Sequence, residues 1–259
     1  MYKKTSSYLD FFKTKGNRYR FLLIASLGLF SQWSGNGLTS YYLTEVFDSI
    51  GITNKTSQLG LNGGLTIMGL IVSVTCAMLC DKVGRRPLFL AATFGMMICF
   101  LCWTVCSSVY QRNQNAAAGK AVVAFIWIFN FSYALAWSGL LVAYTVEILP
   151  FKIRAKGLML MNFWVQVALV INQYVNPLGF KYLVPNWKLY TIYTCWIAFE
   201  LTFVYFLYVE TRGPTLEEIA KIFDGPNAEV GHVDADKVGI SSTSGVEKDE
   251  YAVEHRQVV

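Results

Sequence analysis

The chain has 259 residues, of which 54% are hydrophobic and 15% charged, against about 25% charged in an ordinary soluble domain. Its basic residues sit in short patches between long apolar windows, which excludes a soluble globular domain; the net charge of +5 then needs no nucleic-acid partner. The only histidines, His232 and His255, lie near the C-terminus, and no Cys, His or carboxylate cluster has metal-ligand spacing, which removes the histidine-cluster membrane enzymes and any implied cofactor.

Residues 1–20 are too polar for the start of a secretory leader and are expected to form a linker with a short helix near residues 8–15. Six windows then reach the roughly 20 apolar residues that a bilayer-crossing helix needs: 21–47, 61–80, 88–109, 121–148, 158–180 and 189–209. The first and fourth are long and carry Gly or polar interruptions, so tilt or local breaks are expected there. The fold class is all-α, an integral-membrane bundle of six transmembrane helices. Residues 210–224 follow as a short helix at the membrane face, opened by Pro214 with Glu217 and Glu218 in its first turn. Residues 225–259 are rich in Gly, Ser and charge and are expected to be a disordered tail. The six cysteines all fall within windows and read as small apolar packing residues.

Lys and Arg are strongly asymmetric across the windows. With six crossings both termini share one side, which holds 17 of the 22 basic residues, while the other side holds five. The positive-inside rule makes the basic side cytoplasmic. The expectation is a multi-pass protein, in the plasma membrane, with both termini in the cytoplasm.

Three patches on that side share one pattern, an acid at the end of a window with arginines beside it. The first is Asp81-Lys82-Val83-Gly84-Arg85-Arg86-Pro87, short enough to force a tight turn at Gly84. The second runs Glu147-Ile148-Leu149-Pro150-Phe151-Lys152-Ile153-Arg154-Ala155-Lys156-Gly157. The third is Val209-Glu210-Thr211-Arg212-Gly213-Pro214-Thr215-Leu216-Glu217-Glu218-Ile219. Together, in this order, they resemble the D-x-x-G-R-R, E-x-x-P-x-x-x-R-x-K-G and P-E-T-K-G-x-T-L-E-E-I segments of the sugar porters of the major facilitator superfamily. The first window adds Ser31-Gln32-Trp33-Ser34-Gly35-Asn36-Gly37 and Tyr41-Tyr42, similar to that family's Q-Q-x-S-G-x-N…Y-Y. Asn172-Gln173-Tyr174-Val175-Asn176-Pro177 resembles the fungal lactose-permease and hexose-transporter branch. The resemblance extends over about residues 8–224 and corresponds to the C-terminal six helices of a twelve-helix fold.

The resemblance implies a transporter, not an enzyme, with a sugar as substrate. It implies a substrate wall drawn from Gln32, Asn36, Tyr41, Tyr42, Trp137 and Asn172, and a cytoplasmic gate of Asp81, Arg85, Arg86, Glu147, Arg154 and Glu210. Physical chemistry agrees in kind. Amides both donate to and accept from sugar hydroxyls, and aromatic rings offer an apolar face. A charged network at one face can bias an equilibrium between two states separated by only a few kcal/mol. Some positions depart from the family pattern: Ser31 replaces a glutamine, Gly69 stands where many members carry asparagine, and Val142 where many carry tryptophan. Glu200 is the one acid deep in a window, where an isolated charge is costly. It reads as a neutral structural acid, with proton relay as its alternative, and proton coupling stays open.

Such porters place substrate between two six-helix halves. The expectation is therefore a truncated or split transporter whose opposing wall comes from a missing N-terminal half or from a second copy. A non-transporting nutrient sensor and an inactive gene fragment are the alternatives.

Overall fold

The computed structural model describes residues 7–225; the side chains of Leu216 and Glu217 and the expected tail, 226–259, lie outside the described residues. The described residues form helices and short connections, without strands. Five helical stretches are long and apolar enough to cross a membrane: Lys55–Val83, Arg85–Asn113, Ala116–Ile148, Phe151–Tyr182 and Trp187–Leu207. In a bilayer only helices or closed barrels satisfy every backbone polar group, so an apolar chain of this length has little other choice.

In chain order, α1 is Asp10–Lys13, α2 Lys15–Trp33, α3 Asn36–Tyr41, α4 Leu43–Ser49, α5 Lys55–Val83 and α6 Arg85–Asn113. Next come α7 (Ala116–Tyr133), a π-helical turn (Ala134–Ser138), α8 (Leu140–Ile148), α9 (Phe151–Tyr182), α10 (Trp187–Leu207) and α11 (Leu216–Asp224). The two windows expected to break are the ones that do. The first is divided into α2, α3 and α4, and the fourth is widened by the π turn. The helix of the first window begins at Lys15, inside the stretch read from sequence as linker. Thr14 is extended there and its hydroxyl accepts the N–H of Asn17, which caps a new helix six residues before the apolar run.

Small residues set how closely the helices approach, as expected where solvent gives no hydrophobic drive between spans. At Gly28 of α2, an added Cβ would lie 2.7 Å from Trp164 and 2.9 Å from the Met161 carbonyl of α9. At Gly157 of α9 it would meet Leu149 at 2.2 Å. So α2 lies along α9, while α6 packs between α7 and α10. The α6 contact is aromatic: Phe100 meets Phe129 edge-on at 5.0 Å and Trp103 meets Tyr190 at 5.0 Å.

At the end where α2 starts, the last helix folds back. Thr215 and Glu218 form a reciprocal capping box that starts α11. The side chain of Asp224 then reaches Arg20, at 2.8 Å, and the Arg20 guanidinium lies 4.7 Å from the centre of the Phe223 ring. Arg20 is 1% exposed and also donates to the Ile148 carbonyl and to Asn17. One buried arginine therefore joins the starts and ends of three elements. Counted from sequence only as a topogenic charge, it turns out to be a structural hub.

Candidate functional site

Two regions bring functional groups together. One is a groove of about 490 Å³ open along one side of the bundle. Its lining comes from three places. Asn36, Thr39 and Ser40 stand on α3; Asn62, Thr66, Gly69 and Ser73 stand on α5; Asn130, Tyr133 and Ser138 stand on α7 and the π turn. Nine of the thirteen lining residues carry a hydroxyl or amide, and none carries a charge.

Local sequence explains the placement. On α5 the residues 62, 66, 69 and 73 recur at i, i+4, i+7 and i+11, which is one face of a helix. Gly69 keeps that face open, since a Cβ there would already be in contact with the Asn130 carboxamide at 3.4 Å. On α3 the polar groups hold one another: Ser40 Oγ donates to Asn36 Oδ1 at 2.9 Å and Thr39 Oγ1 to the Asn36 carbonyl. Tyr133 donates its hydroxyl to the Ser31 carbonyl at 2.8 Å, tying α7 to the end of α2. Ser73 and Ser138 approach within 3.4 Å across the groove floor.

Of the six residues expected on the substrate wall, Asn36 alone lines this groove. Gln32 lies one turn before the break, and its carbonyl accepts from Asn172 Nδ2 at 2.8 Å. Asn172 itself is 4% exposed, turned into the bundle between α2 and α10. Trp137 is fully buried and donates its indole N–H to Thr93 at 3.0 Å. Tyr42 donates to the Gln173 carboxamide at 2.9 Å, and Tyr41 is half exposed on α3. Helix rotation accounts for the difference. Asn172 and Trp137 belong to the polar or aromatic class a sugar site needs, but their faces pack on neighbouring helices.

The second region is a charged brace at the end carrying the α5–α6 turn. Arg85 is its centre. Its guanidinium contacts Glu147 Oε1 at 2.9 Å and Asp81 Oδ1 at 2.8 Å, and donates to the Cys80 carbonyl. The other Glu147 oxygen accepts from the Thr211 hydroxyl at 2.5 Å. Glu210 accepts four backbone N–H groups, those of Arg85 and Arg86 at the start of α6 and those of Thr211 and Arg212. A carboxylate at a helix N-terminus satisfies orphan donors and meets the positive end of the dipole. Gly84 makes this possible: its φ is +103°, and a Cβ would stand 2.8 Å from Glu210 Oε2.

The brace differs in part from the gate expected from sequence. Arg85 pairs with Glu147 as expected, but Glu210 takes backbone N–H groups in place of guanidinium partners. Arg86 donates to the Tyr205 carbonyl at 2.7 Å and lies over that ring. Arg154 donates to the Leu149 carbonyl and lies over Phe151. Both arginines meet helix-end carbonyls, which carry the negative end of the dipole and compete with carboxylates for a guanidinium. Glu200 is wholly buried on α10. Among the described residues neither of its oxygens has a well-formed hydrogen bond, and the Trp196 indole one turn earlier lies close without meeting that geometry.

The family described as sugar (and other) transporters matches residues 1–223. The chain belongs to that family. It is 29% identical over 237 residues to the MFS-type transporter oryC of Aspergillus oryzae, covering 88% of this chain and 43% of that protein. It is 30% identical to the high-affinity gluconate transporter ght3 of Schizosaccharomyces pombe (81% and 38% covered) and 28% identical to the high glucose sensor RGT2 of Saccharomyces cerevisiae (86% and 30%). The fold is shared with a double-tryptophan mutant of XylE, with a TM-score of 0.73 at 24% identity over 86% of this chain and 45% of that one. This sugar-transporter-family chain thus spans less than half the length of each relative, and it is a multi-pass membrane protein.

Proposed function

We propose that the chain forms one wall of a sugar-translocation pathway, with the groove between α3, α5 and α7 as its substrate face. The observation that carries this is the lining: nine hydroxyl and amide groups with no charge, at a mid-helix level. Such groups recognise a neutral polyhydroxylated solute, because each amide and hydroxyl can donate and accept. An ionic substrate would leave its own charge unpaired there.

The opposing wall is a second six-helix half, in the same polypeptide or in another, or a second copy of this chain. Exposed polar residues on α9, Asn162 and Gln166, together with the groove face of α5, support that assembly. Polar groups at membrane depth are stable where protein or water covers them and costly against lipid. The brace is the cytoplasmic end, with both termini on that side and the protein in the plasma membrane. Asp81, Arg85, Glu147 and Glu210 hold that end together, with Arg86 and Arg154 closing on helix carbonyls. XylE, a proton–xylose symporter of the same fold, supports a small neutral polyhydroxylated substrate without choosing hexose over disaccharide or proton coupling over facilitated diffusion, whereas the gluconate transporter carries an anion that this uncharged lining does not match.

Labelled-sugar uptake in transporter-null yeast tests the proposal, with the chain expressed alone and with a family N-terminal half. Saturable uptake in either arm is the expected outcome, and dependence on the partner identifies where the second wall comes from. Saturable binding without uptake in both arms would turn the reading toward a sensor such as RGT2. Neither binding nor uptake, despite membrane insertion, would refute it.

A further inference from the structure

The break in the first window leaves a problem that the rest of the bundle solves. Gly35 takes φ +92°, so α2 ends at Trp33 and α3 starts at Asn36. The last carbonyls of α2 lose their in-helix donors at that point. One of them, Gln32 O, accepts from Asn172 Nδ2 of α9 at 2.8 Å. A carbonyl only accepts, so the atom facing it is the amide nitrogen, and this fixes which way Asn172 points. Its oxygen then accepts from Asn176 Nδ2 at 3.3 Å. Tyr193 of α10 has one hydroxyl proton and two amide oxygens in reach. The shorter contact, 2.6 Å to Asn176 Oδ1 against 3.2 Å to Asn172 Oδ1, takes it.

The bonds therefore run in one direction, from Tyr193 to Asn176 to Asn172 to the broken end of α2. Asn172 and Asn176 are 4% and 0% exposed, and Tyr193 is 9% exposed, so water does not compete with the chain of bonds. Close packing reinforces it. A Cβ on Gly37, one residue into α3, would lie 2.5 Å from Asn172 Nδ2, and one on Gly35 would lie 2.5 Å from the Phe100 ring. Farther along, the Trp33 indole donates to the Ala168 carbonyl and Tyr42 to Gln173, both on α9. What this clamp positions is α3, the helix that carries Asn36, Thr39 and Ser40 into the groove.

We propose that Tyr193, Asn176 and Asn172 are positioning residues. They hold the broken first span against α9 and so set where Asn36 meets solute, without touching solute themselves. The proposal rests on the groove being the substrate face, but its geometry can be tested without any sugar. Thr39→Cys places a reporter thiol at a position 4% exposed on α3, and Thr56→Cys places a control at the exposed start of α5. The full chain is inserted in yeast membranes, treated with a water-soluble maleimide, and read site by site by mass spectrometry.

Asn172→Leu is expected to raise labelling at the Thr39 position about tenfold, and Tyr193→Phe about threefold, as loss of a buried hydrogen bond implies for local opening. The Thr56 control stays unchanged in both. Rates at the Thr39 position within twofold of the parent in Tyr193→Phe, which keeps the ring and its packing, would overturn the clamp even if Asn172→Leu fails to fold. Equal increases at both positions would also overturn it, because they report general loosening. With a partner half supplying uptake, the same variants raise KM while the maximal rate holds. A parent that takes up no sugar would count against the functional reading, and the labelling would still decide the clamp.

Discussion

The brace and the groove share α5 and the Ala116–Ile148 stretch and reach opposite states of satisfaction. At the brace, Arg85 is 13% exposed and Glu147 24%, and the Arg85 guanidinium and the Thr211 hydroxyl meet oxygens within the chain. In the groove, Asn62, Thr66 and Ser138 are exposed, and the hydroxyls bond mainly to carbonyls on their own helix or to one another. The difference fits the roles proposed above for the two regions. Under that proposal, a region complete within one half can be cross-braced by it, whereas a solute-facing wall keeps bonding capacity in reserve for a partner. A ground state that satisfied those amides internally would compete with substrate for them.

Substitutions at the two regions separate structural from recognition energy. Gly84→Val is expected to have the largest effect. It forces a side chain into a left-handed backbone and into Glu210, which destabilises the chain by about 2–3 kcal/mol. Thermal unfolding in detergent reads this, and a melting temperature near the parent's would mean Glu210 relaxes freely. Glu147→Ala comes next at about 1–2 kcal/mol, because it leaves Nε of the mostly buried Arg85 guanidinium and the Thr211 hydroxyl without their acceptor. Glu147→Gln keeps an oxygen for Thr211 and should recover part of the loss; equal losses would mean charge alone matters.

Asp81→Asn should cost only about 0–0.5 kcal/mol, since Asp81 is 75% exposed and its pair with Arg85 is screened. A loss as large as that of Glu147→Ala would show that the brace is more enclosed than its surface suggests. Gly69→Asn sharpens the contrast from the other side. Stability should move by only about 0.5 kcal/mol or less, because a Cβ at this position meets only the Asn130 carboxamide, at 3.4 Å, and the rest of the side chain extends into the groove. Solute affinity should nevertheless change severalfold, since the new amide enters the groove beside Asn130. Unchanged binding by equilibrium titration would remove α5 from the substrate face.

Much of the architecture was legible because membrane solvation is a one-dimensional signal. Apolar length and Lys/Arg clustering need no knowledge of neighbours, so the windows at 61–80 and 88–109 map directly onto α5 and α6. The Arg85–Glu147 pair was legible too, as each residue sits at the end of a window where a turn forces helix ends together. The α5 groove face could have been read from the spacing of Asn62, Thr66, Gly69 and Ser73, a polar period of one helix face inside an apolar window. The Arg20 hub could not, because Asp224 meets it across nearly the whole chain with no local pattern linking them.

From its sequence alone, then, this protein is a helical membrane bundle of the sugar-transporter family, with breaks in its first and fourth windows. Only the tertiary structure decided which polar side chains face the groove and which are spent inside. Asn36 and Asn172 are the same residue type in similar apolar surroundings, yet one lines the groove and the other caps a broken helix. The rotation of each helix about its axis separates them. That rotation is set by close contacts such as Gly28 on Trp164 and Gly37 on Asn172, which pair residues far apart in the chain.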